Sequence, residues 1–256
     1  MSFSWEPELY KKFEAERNLP CADLIARLPM RDPQRIVDLG CGPGNSTELL
    51  ARKFPRAKLF ALDNSAEMLA TARQRVSACE FIQADIATWQ TDEKFDLIFA
   101  NASLQWIENL IPVMKRLAGL LHPGGVLAAQ MPRARQLPLH LEAKKLSQQP
   151  EWAAQMKSVS LPPEPPPPGP AYASLSEGNS KLTVWETEYE HLLPSAEHIV
   201  QWIRGTGLRP YLDALSNTDQ QDFLAAYTRR IRTAYPLNEA GCVTLKYTRV
   251  FVMVEK

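Results

Sequence analysis

Residues 37–50, VDLGCGPGNSTELL, place three closely spaced glycines between an apolar run and the start of a predicted helix. Such glycines allow a ligand to lie directly against the backbone near a helix N-terminus. Asp38 stands just before them, where a buried carboxylate would repel a pyrophosphate and attract an ammonium group. Asp63 follows 23 residues after Gly40, a distance suited to a carboxylate that binds ribose hydroxyls. The spacing therefore predicts a ligand with an adenosine and an amino-acid tail.

The same loop departs from two well-known phosphate-binding loops. Nicotinamide enzymes carry G-x-G-x-x-G, and Asn45 stands here at the position of the last glycine. No G-x-x-x-x-G-K-[ST] sequence follows, so a P-loop is excluded. A dinucleotide enzyme stays open as the alternative for this loop.

The overall charge and composition exclude some classes of partner. The chain has 256 residues, of which 45% are hydrophobic, and its 29 basic residues balance 29 acidic ones. This balance provides no extended positive field, so we expect no nucleic acid partner. The four cysteines form no C-x-x-C pair, and no apolar run approaches the roughly 20 residues of a membrane span. We expect a cytoplasmic protein with no signal peptide and no membrane partner.

Short apolar runs alternate with helical patterns through the first half of the chain. We predict strands at 35–40, 58–63, 79–85, 95–101 and 125–131, and helices within 5–28 and at 46–54, 65–76 and 108–121. Ser65 is predicted to be an N-cap, and the HPGG sequence at 122–125 to be a turn. The alternation predicts an α/β fold with a mostly parallel sheet that is covered by helices on both faces.

The second half of the chain is less regular. A helical stretch, the stiff proline-rich sequence LPPEPPPPGP (161–170) and a strand at 181–192 come first. Two helices follow, the second capped near Asn217 or Thr218, and a strand at 243–256 ends the sheet. We predict a single domain over 1–256, which is divided into an N-terminal helical cap (1–30), a core (31–131), a proline-rich cap segment (132–180) and a helical insertion between the last two strands (194–240).

Five motifs resemble, in order and spacing, those of the class I S-adenosylmethionine-dependent methyltransferases. They are VDLGCGPGNST (37–47), LFALDNS (59–65), FIQADIATW (81–89), FDLIFANASLQW (95–106) and LLHPGGVLAAQMP (120–132). The resemblance implies a Rossmann-like sheet with an antiparallel last strand. It also implies S-adenosylmethionine as the methyl donor and S-adenosylhomocysteine as a product.

The resemblance assigns parts of the cofactor to particular residues. By it, Asp38 and the glycine loop hold the methionine end, Asp63 holds the ribose, and Asp85 accepts from the adenine amine. Asn101 and the residue after it would lie beneath the sulfonium. Asp63 and Asp85 have a plainer alternative, as caps of the turns that follow them. The predicted cofactor set is Asp38, Gly40, Cys41, Gly42, Gly44, Asn45, Asp63, Asn64, Met68, Asp85, Ile86, Asn101, Ala102, Ser103 and Trp106.

A closer resemblance, to the trans-aconitate 2-methyltransferases, extends over almost the whole chain. It is carried by W-x-P-x-L-Y-x-x-F-x-A-E-R (5–17), IFANASLQW (98–106), LPPxPPP (161–167), W-x-T-x-Y-x-H-x-x-P-S (185–195), GLRPYL (207–212), AYPL (234–237) and RVFVMV (249–254). The NASLQW sequence also lacks the Pro and Tyr that are typical of methyltransferases acting on base amines. The resemblance implies a methyl ester formed on one carboxylate of a small tricarboxylic acid.

This chemistry sets the residue types that a substrate pocket needs. A carboxylate is already ionised at neutral pH and is itself the nucleophile, so we expect no catalytic base. We also expect no metal, because the four histidines lack metal-ligand spacing. Guanidinium forks and hydroxyl donors should hold the remaining carboxylates. The predicted substrate-binding residues are Tyr10, Arg17, Tyr189, Trp202, Arg209 and Arg249, with Arg133 and Arg204 as weaker candidates.

Two other functions stay open. The malonyl-carrier-protein methyltransferases also esterify a carboxylate on a similar core, although they would need a basic docking face that the sequence does not suggest. A non-catalytic S-adenosylmethionine-binding regulator would share the cofactor site and show no turnover. We expect a small-molecule acid as the substrate, no protein partner, and a monomer.

Overall fold

A computed structural model of the chain describes residues 13–161, 163–179 and 181–256. Within this part, the strands are β1 (Arg35–Leu39), β2 (Lys58–Asp63), β3 (Glu80–Gln83), β4 (Phe95–Asn101), β5 (Leu121–Pro132), β6 (Lys181–Leu193) and β7 (Val243–Glu255). They form one seven-stranded sheet with the order β3-β2-β1-β4-β5-β7-β6. Strands β1, β2 and β4 are short, largely buried apolar runs, as expected for strands that are covered on both faces, whereas the edge strand β3 has no buried residue.

The pairing directions place the carboxyl ends of five strands at one edge of the sheet. Pairs β3–β2, β2–β1, β1–β4 and β4–β5 are parallel, and β7 pairs with β5 in the antiparallel direction. The strand order reverses between β1 and β4, and ligands of open α/β sheets bind at such a reversal. The predicted mixed sheet with an antiparallel last strand is confirmed.

Helices connect these strands. They are α1 (Glu14–Ala26), α2 (Asn45–Lys53), α3 (Ala66–Arg75), α4 (Leu110–Ala118), α5 (Pro138–Ser147), α6 (Pro150–Ala153), α7 (Ala196–Arg204), α8 (Arg209–Leu212) and α9 (Asn217–Ala234). None of the described helices is long and apolar enough to cross a membrane.

The chain divides into two compact units, each with a hydrophobic core. The sheet unit comprises 17–133, 162–187 and 249–256, and its largest core packs one sheet face against α4. The helical unit comprises 134–161 and 188–248 together with 13–16 at the start of the described residues, and its core centres on α5, α7 and α9. Strands β6 and β7 contribute residues to both units.

Three local predictions can be compared with the structure. Ser65 caps α3, because its side chain accepts from the Met68 N–H. The cap of α9, predicted near Asn217 or Thr218, is the adjacent Ser216, whose side chain accepts from the Asp219 N–H. The predicted HPGG turn is wrong. These residues lie within β5, where the register with β4 shifts between Phe95 and Leu97.

Candidate functional site

Asp38 lies near the carboxyl end of β1 with no exposed surface. The hydroxyls of Ser46 and Thr47 at the start of α2 both donate to its Oδ2 over 2.7 Å. Its Oδ1 has no hydrogen-bond partner among the described residues. Burial raises the pKa of this carboxyl to about 6, against the opposing effect of the two hydroxyls. A buried acceptor of this kind suits a cationic group such as the ammonium of an amino acid.

The glycine loop contains one glycine that packing requires and one that faces open space. The Gly40 and Cys41 N–H groups donate to the Leu62 carbonyl over 2.7 and 3.0 Å. A Cβ on Gly40 would stand 2.3 Å from the Ser103 Cβ, so this position has no room for a side chain. A Cβ on Gly42 would meet nothing within 4 Å. The open backbone at Gly42 therefore leaves space for a ligand.

Asp63 ties this loop to the next helix. Its Oδ2 accepts from the Gly42 N–H and its Oδ1 from the Ser65 N–H, each over 2.9 Å. The plainer role of a turn cap is thus present. A carboxylate offers about four lone-pair positions, so each oxygen can still accept a ribose hydroxyl. The loop that would hold the methionine end and the carboxylate that would hold the ribose are therefore one connected structure.

The turn after β3 is held by an arginine that the sequence analysis missed. Arg116 on α4 donates to the carbonyl oxygens of Ile86 (2.7 Å), Ala87 (3.1 Å) and Trp89. The Asp85 Oδ1 accepts from the Ala87 N–H over 2.8 Å, which is again a local turn bond. No local pattern marks Arg116, because its partners lie about 30 residues away in sequence. Its bonds fix the predicted adenine-binding turn.

The end of β4 carries an unusual backbone bend at the predicted methyl-transfer point. Ala102 has a φ of +52°, which is uncommon for a residue other than glycine. Its N–H donates to the Gln130 carbonyl over 2.9 Å. The Ser103 hydroxyl donates to the Leu39 carbonyl over 2.6 Å, which links the end of β4 to the end of β1. The bend therefore brings Ser103 against Gly40, so two predicted site segments meet.

The remaining predicted cofactor residues differ in how far they are exposed to solvent. Asn64 is exposed, Met68 is half-buried, and Trp106 is 49% exposed. Asn45 is buried at the start of α2. Cys41 is buried in the loop, and burial raises the pKa of its thiol, followed by the charge of Asp38. The thiol is therefore protonated and packs as a small side chain.

Arg249 is the most buried of the arginines predicted to bind the substrate. It is only 8% exposed and lies opposite Pro132 in the β5–β7 pair, two positions from the Gln130–Phe251 pair. Side chains two positions apart along a strand, and those directly opposite each other, share a sheet face. In β4 and β5, Asn101 is in register with Gln130. Arg249, Gln130 and Asn101 therefore share one face at the same edge of the sheet.

Asp38 and helix α1 belong to this same face. Asp38 is in register with Phe99, which lies two positions before Asn101 in β4. The charge of Asp38 helps burial to raise the pKa of the Cys21 thiol on α1, so this helix passes close to Asp38. Arg17 lies one helical turn before Cys21 and is half-buried. Arg17 is thus a second guanidinium on the helix that passes Asp38.

The other predicted substrate residues belong to the helical unit or lie outside the described residues. Tyr189 and Trp202 are buried in the helical unit, both packed on His191 with ring centroids 6.4 and 5.0 Å apart. Arg209 begins the short α8, is about one-third exposed, and pairs with Asp213 at 3.6 Å. Tyr10 lies outside the described residues. The roles of these four in substrate binding stay predictions.

The two weaker arginine candidates differ in their surroundings. Arg133 contacts Glu186 at 3.1 Å and Glu164 of the proline-rich loop at 3.8 Å. Arg204 is exposed on α7.

A cavity of about 260 Å³ lies beside the proline-rich loop and is lined by residues 104, 105, 107–112 and 163–166. Its charged side chains are Glu108 and Glu164, so it does not suit an anionic substrate.

The sheet order and the loop at its reversal define a class I S-adenosylmethionine-dependent methyltransferase, and residues 36–125 match the family model described as a methyltransferase domain. The chain is 45% identical to the trans-aconitate 2-methyltransferases of Rhodopseudomonas palustris (strain BisB18), over 98% of this chain and 99% of the relative, and of Paracidovorax citrulli (strain AAC00-1), over 98% of each. It belongs to the trans-aconitate 2-methyltransferase family.

Solved structures show the same fold at lower sequence identity. The YcgJ protein from Bacillus subtilis matches with a TM-score of 0.61 at 15% identity, over 93% of this chain and 98% of that chain. The Haemonchus contortus phosphoethanolamine N-methyltransferase 2, in complex with phosphomonomethylethanolamine and S-adenosylhomocysteine, matches with a TM-score of 0.54 at 16% identity. That match covers 93% of this chain and 52% of that chain.

Proposed function

We propose that the protein transfers a methyl group from S-adenosylmethionine to one carboxylate of trans-aconitate or of a similar small di- or tricarboxylic acid. The curated relatives that bear this activity in their names match almost the full chain. The observation that carries the proposal is the buried Arg249, which shares a sheet face with Asn101. Its guanidinium fork can bind a carboxylate in a bidentate manner at the sheet edge where the methyl-transfer point is expected.

In this proposal, different residues of the sheet unit bind different parts of S-adenosylmethionine. Asp38 takes the ammonium of S-adenosylmethionine, the Gly42 backbone faces the methionine end, and Asp63 takes the ribose. Asp85 takes the adenine amine in the turn that Arg116 holds. The unpaired Asp38 Oδ1 and the open space at Gly42 support this assignment.

The reaction needs orientation rather than proton transfer. The carboxylate oxygen forms the new C–O bond while the C–S bond breaks and its electron pair stays on sulfur, so no proton moves. The protein has to strip water from the carboxylate and align it with the methyl carbon at about 3 Å. Arg249, with Arg17 in support, would hold the carboxylates that do not react. We accordingly assign no general base.

The proposal is tested by methyl-ester formation on a panel of acids, detected by mass spectrometry. We expect turnover with trans-aconitate and much less with its cis isomer or with citrate, because fixed guanidinium groups select the spacing of the carboxylates. Turnover only on a malonyl-carrier protein would identify the competing methyltransferase. S-adenosylhomocysteine binding without turnover on any acid would identify a regulator.

Arg249→Ala should raise KM for the acid by at least about thirtyfold, because loss of a buried charged anchor is worth about 2–5 kcal/mol. Arg249→Lys should recover part of this, since a point charge cannot reproduce the fork. S-adenosylhomocysteine affinity, measured by calorimetry, should stay within about threefold. The matched control is Arg52→Ala, an exposed arginine on α2 that pairs with Glu48. An unchanged KM in Arg249→Ala would contradict this pocket.

We further propose that the protein works as a cytoplasmic monomer on a small-molecule acid. The division into an N-terminal cap, a core, a proline-rich segment and a helical insertion is proposed with it, with the cap segments governing the choice of acid. Sedimentation of the purified protein tests the monomer, and the acid panel repeated on chimaeras of residues 132–180 with a relative tests the caps.

A further inference from the structure

Gln130 is a buried amide whose hydrogen bonds are incomplete. It lies in β5 near the carboxyl edge of the sheet and is only 1% exposed. Its Nε2 donates to the Asn101 Oδ1 over 2.5 Å, and its Oε1 has no hydrogen-bond partner among the described residues. Buried amides normally have their hydrogen bonds satisfied. An incomplete one beside the predicted methyl-transfer point indicates that a bound ligand completes this site.

The direction of the bond between the two amides determines what Asn101 can offer. Because Gln130 donates to Oδ1, the NH2 group of Asn101 is left as its remaining hydrogen-bonding group. With the opposite orientation, Asn101 would present an oxygen instead of its NH2 group, and neither N–H of the Gln130 amide would take part in the bond. A site for an anion needs donors, so the observed orientation suits a carboxylate.

Backbone contacts between β4 and β5 hold the Asn101–Gln130 pair in position. Asn101 and Gln130 are in register in β4 and β5, and the Ala102 N–H donates to the Gln130 carbonyl over 2.9 Å. The backbone bond and the side-chain bond therefore hold the same two strand ends together. Arg249 lies on the same sheet face, so the neutral amide pair and the guanidinium border one region.

We propose, on the basis of the proposed carboxyl methyltransferase function, that Gln130 is a positioning residue that directs the Asn101 NH2 group to the attacking carboxylate. A carboxylate attacks through one oxygen, and its second oxygen needs a donor that fixes its direction. An amide NH2 supplies this donor without a full positive charge, so the nucleophile is oriented and keeps its electron density. The guanidinium of Arg249 remains for a carboxylate that does not react.

The unpaired Gln130 Oε1 also affects the expected binding of the methyl donor, S-adenosylmethionine. An acid with ionised carboxylates offers only acceptors, so it cannot satisfy this oxygen. The cationic methyl donor is its electrostatic complement. Removal of Oε1 should therefore weaken S-adenosylmethionine binding more than binding of the uncharged thioether S-adenosylhomocysteine.

The test uses the full chain and the pH dependence of kcat/KM for trans-aconitate between pH 5.5 and 8.5. In Gln130→Glu the introduced carboxyl can donate to Asn101 only when it is protonated. We expect its kcat/KM to approach that of the wild type at low pH and to fall at least tenfold toward pH 8.5. The wild type and the control Gln74→Glu, at an exposed position on α3, should show no such fall. Parallel profiles in Gln130→Glu and the wild type would overturn the inference.

A second variant covers the case in which Gln130→Glu does not fold. Gln130→Met keeps the side-chain length and lacks the donor, so kcat should fall about tenfold or more at every pH, with S-adenosylhomocysteine affinity within threefold of the wild type. An unchanged kcat would also overturn the inference. A wild type that binds S-adenosylhomocysteine and methylates no acid would instead refute the proposed function, so the two failures are distinguishable.

Discussion

Asp38 is the residue whose charge state a bound ammonium group should change most. Burial raises its pKa to about 6 in the free protein. Because this folded-state pKa lies above the unfolded value, the free protein gains stability from the protonated form below about pH 4 and loses it as pH rises to 6. Binding an ammonium needs the ionised form, so cofactor affinity has the opposite pH dependence.

We therefore predict that S-adenosylhomocysteine affinity falls by up to tenfold for each pH unit below about 6 and is constant above it. Calorimetry at pH 5, 6 and 7 measures this directly. Asp38→Asn keeps the shape of the side chain and should bind weakly with no such slope. A wild-type affinity that is equal at pH 5 and pH 7 would contradict a role for Asp38 in binding the ammonium.

Two glycines of the loop should respond differently to the same substitution. In both Gly40→Ala and Gly42→Ala, a positive φ imposes a strain of about 1–2 kcal/mol. In Gly40→Ala the added Cβ also overlaps Ser103, which adds about 1–3 kcal/mol. Gly42→Ala should remain nearer to wild-type stability and lose cofactor affinity.

Urea unfolding and calorimetry on the two variants separate these effects. Equal losses of stability would show that the Gly40–Ser103 contact relaxes at little cost. Full cofactor affinity in Gly42→Ala would show that the ligand does not approach the loop there.

At the scale of the elements, α5 contains a histidine packed on a glycine of a neighbouring segment. A Cβ on Gly207 would come within 2.5 Å of the His140 Cε1. Burial and the nearby Arg135 lower the pKa of His140 to about 4. Above about pH 6.5 this histidine is neutral in both the folded and the unfolded chain. As pH falls from 6.5 toward 4, only the unfolded chain gains the proton, so stability is lost.

We predict that His140 alone lowers the free energy of unfolding by up to about 3 kcal/mol over this pH range, at 1.36 kcal/mol for each pKa unit, while protonation of Asp38 raises it over much of the same range. His140→Gln should remove the histidine contribution and so change the slope of the profile, and His122→Gln on β5 serves as its control. Urea unfolding between pH 4.5 and 7.5 provides the measurement. The same slope in wild type and His140→Gln would assign the pH dependence to other groups.

The elements also show what the sequence could predict and why the rest was missed. Strands such as β2 and β4 were predicted with the observed boundaries, because a short apolar run can be recognised from the local sequence alone. The α9 cap was misplaced by one residue, since neighbouring polar residues are equally good candidates. The HPGG segment was misassigned because it lies at the register shift between β4 and β5 and bonds to Lys256 at the end of the chain, a contact that the local sequence does not show.

At the scale of the whole molecule, the cofactor side of the site was more predictable than the substrate side. The former depends on the spacing of loop residues along one stretch of chain. The substrate side depends on which strands become neighbours, so Gln130 carried no local signal. Arg116 was missed on the cofactor side, because its partners lie about 30 residues away in sequence. Arg249 was selected as a charge in an apolar strand, and its burial agrees with that reasoning. Arg209 was selected in the same way and is considerably more exposed.

The reaction as a whole should not depend on a metal ion. The nucleophile arrives ionised, so a Lewis acid has no proton to displace and no leaving oxygen to stabilise. Dialysis against EDTA should leave kcat/KM within about twofold of its starting value. A rate that is lost on dialysis and restored only by Mg²⁺ would mean that the reaction differs from carboxyl esterification.

The buried thiol in the glycine loop has a consequence for the durability of the catalyst. S-adenosylmethionine is an alkylating agent, and a thiolate is among the strongest nucleophiles in a protein. The raised pKa of Cys41 keeps its sulfur protonated beside the place where the reagent is expected to lie. The loop can therefore hold a reactive methyl donor through many turnovers without alkylating itself.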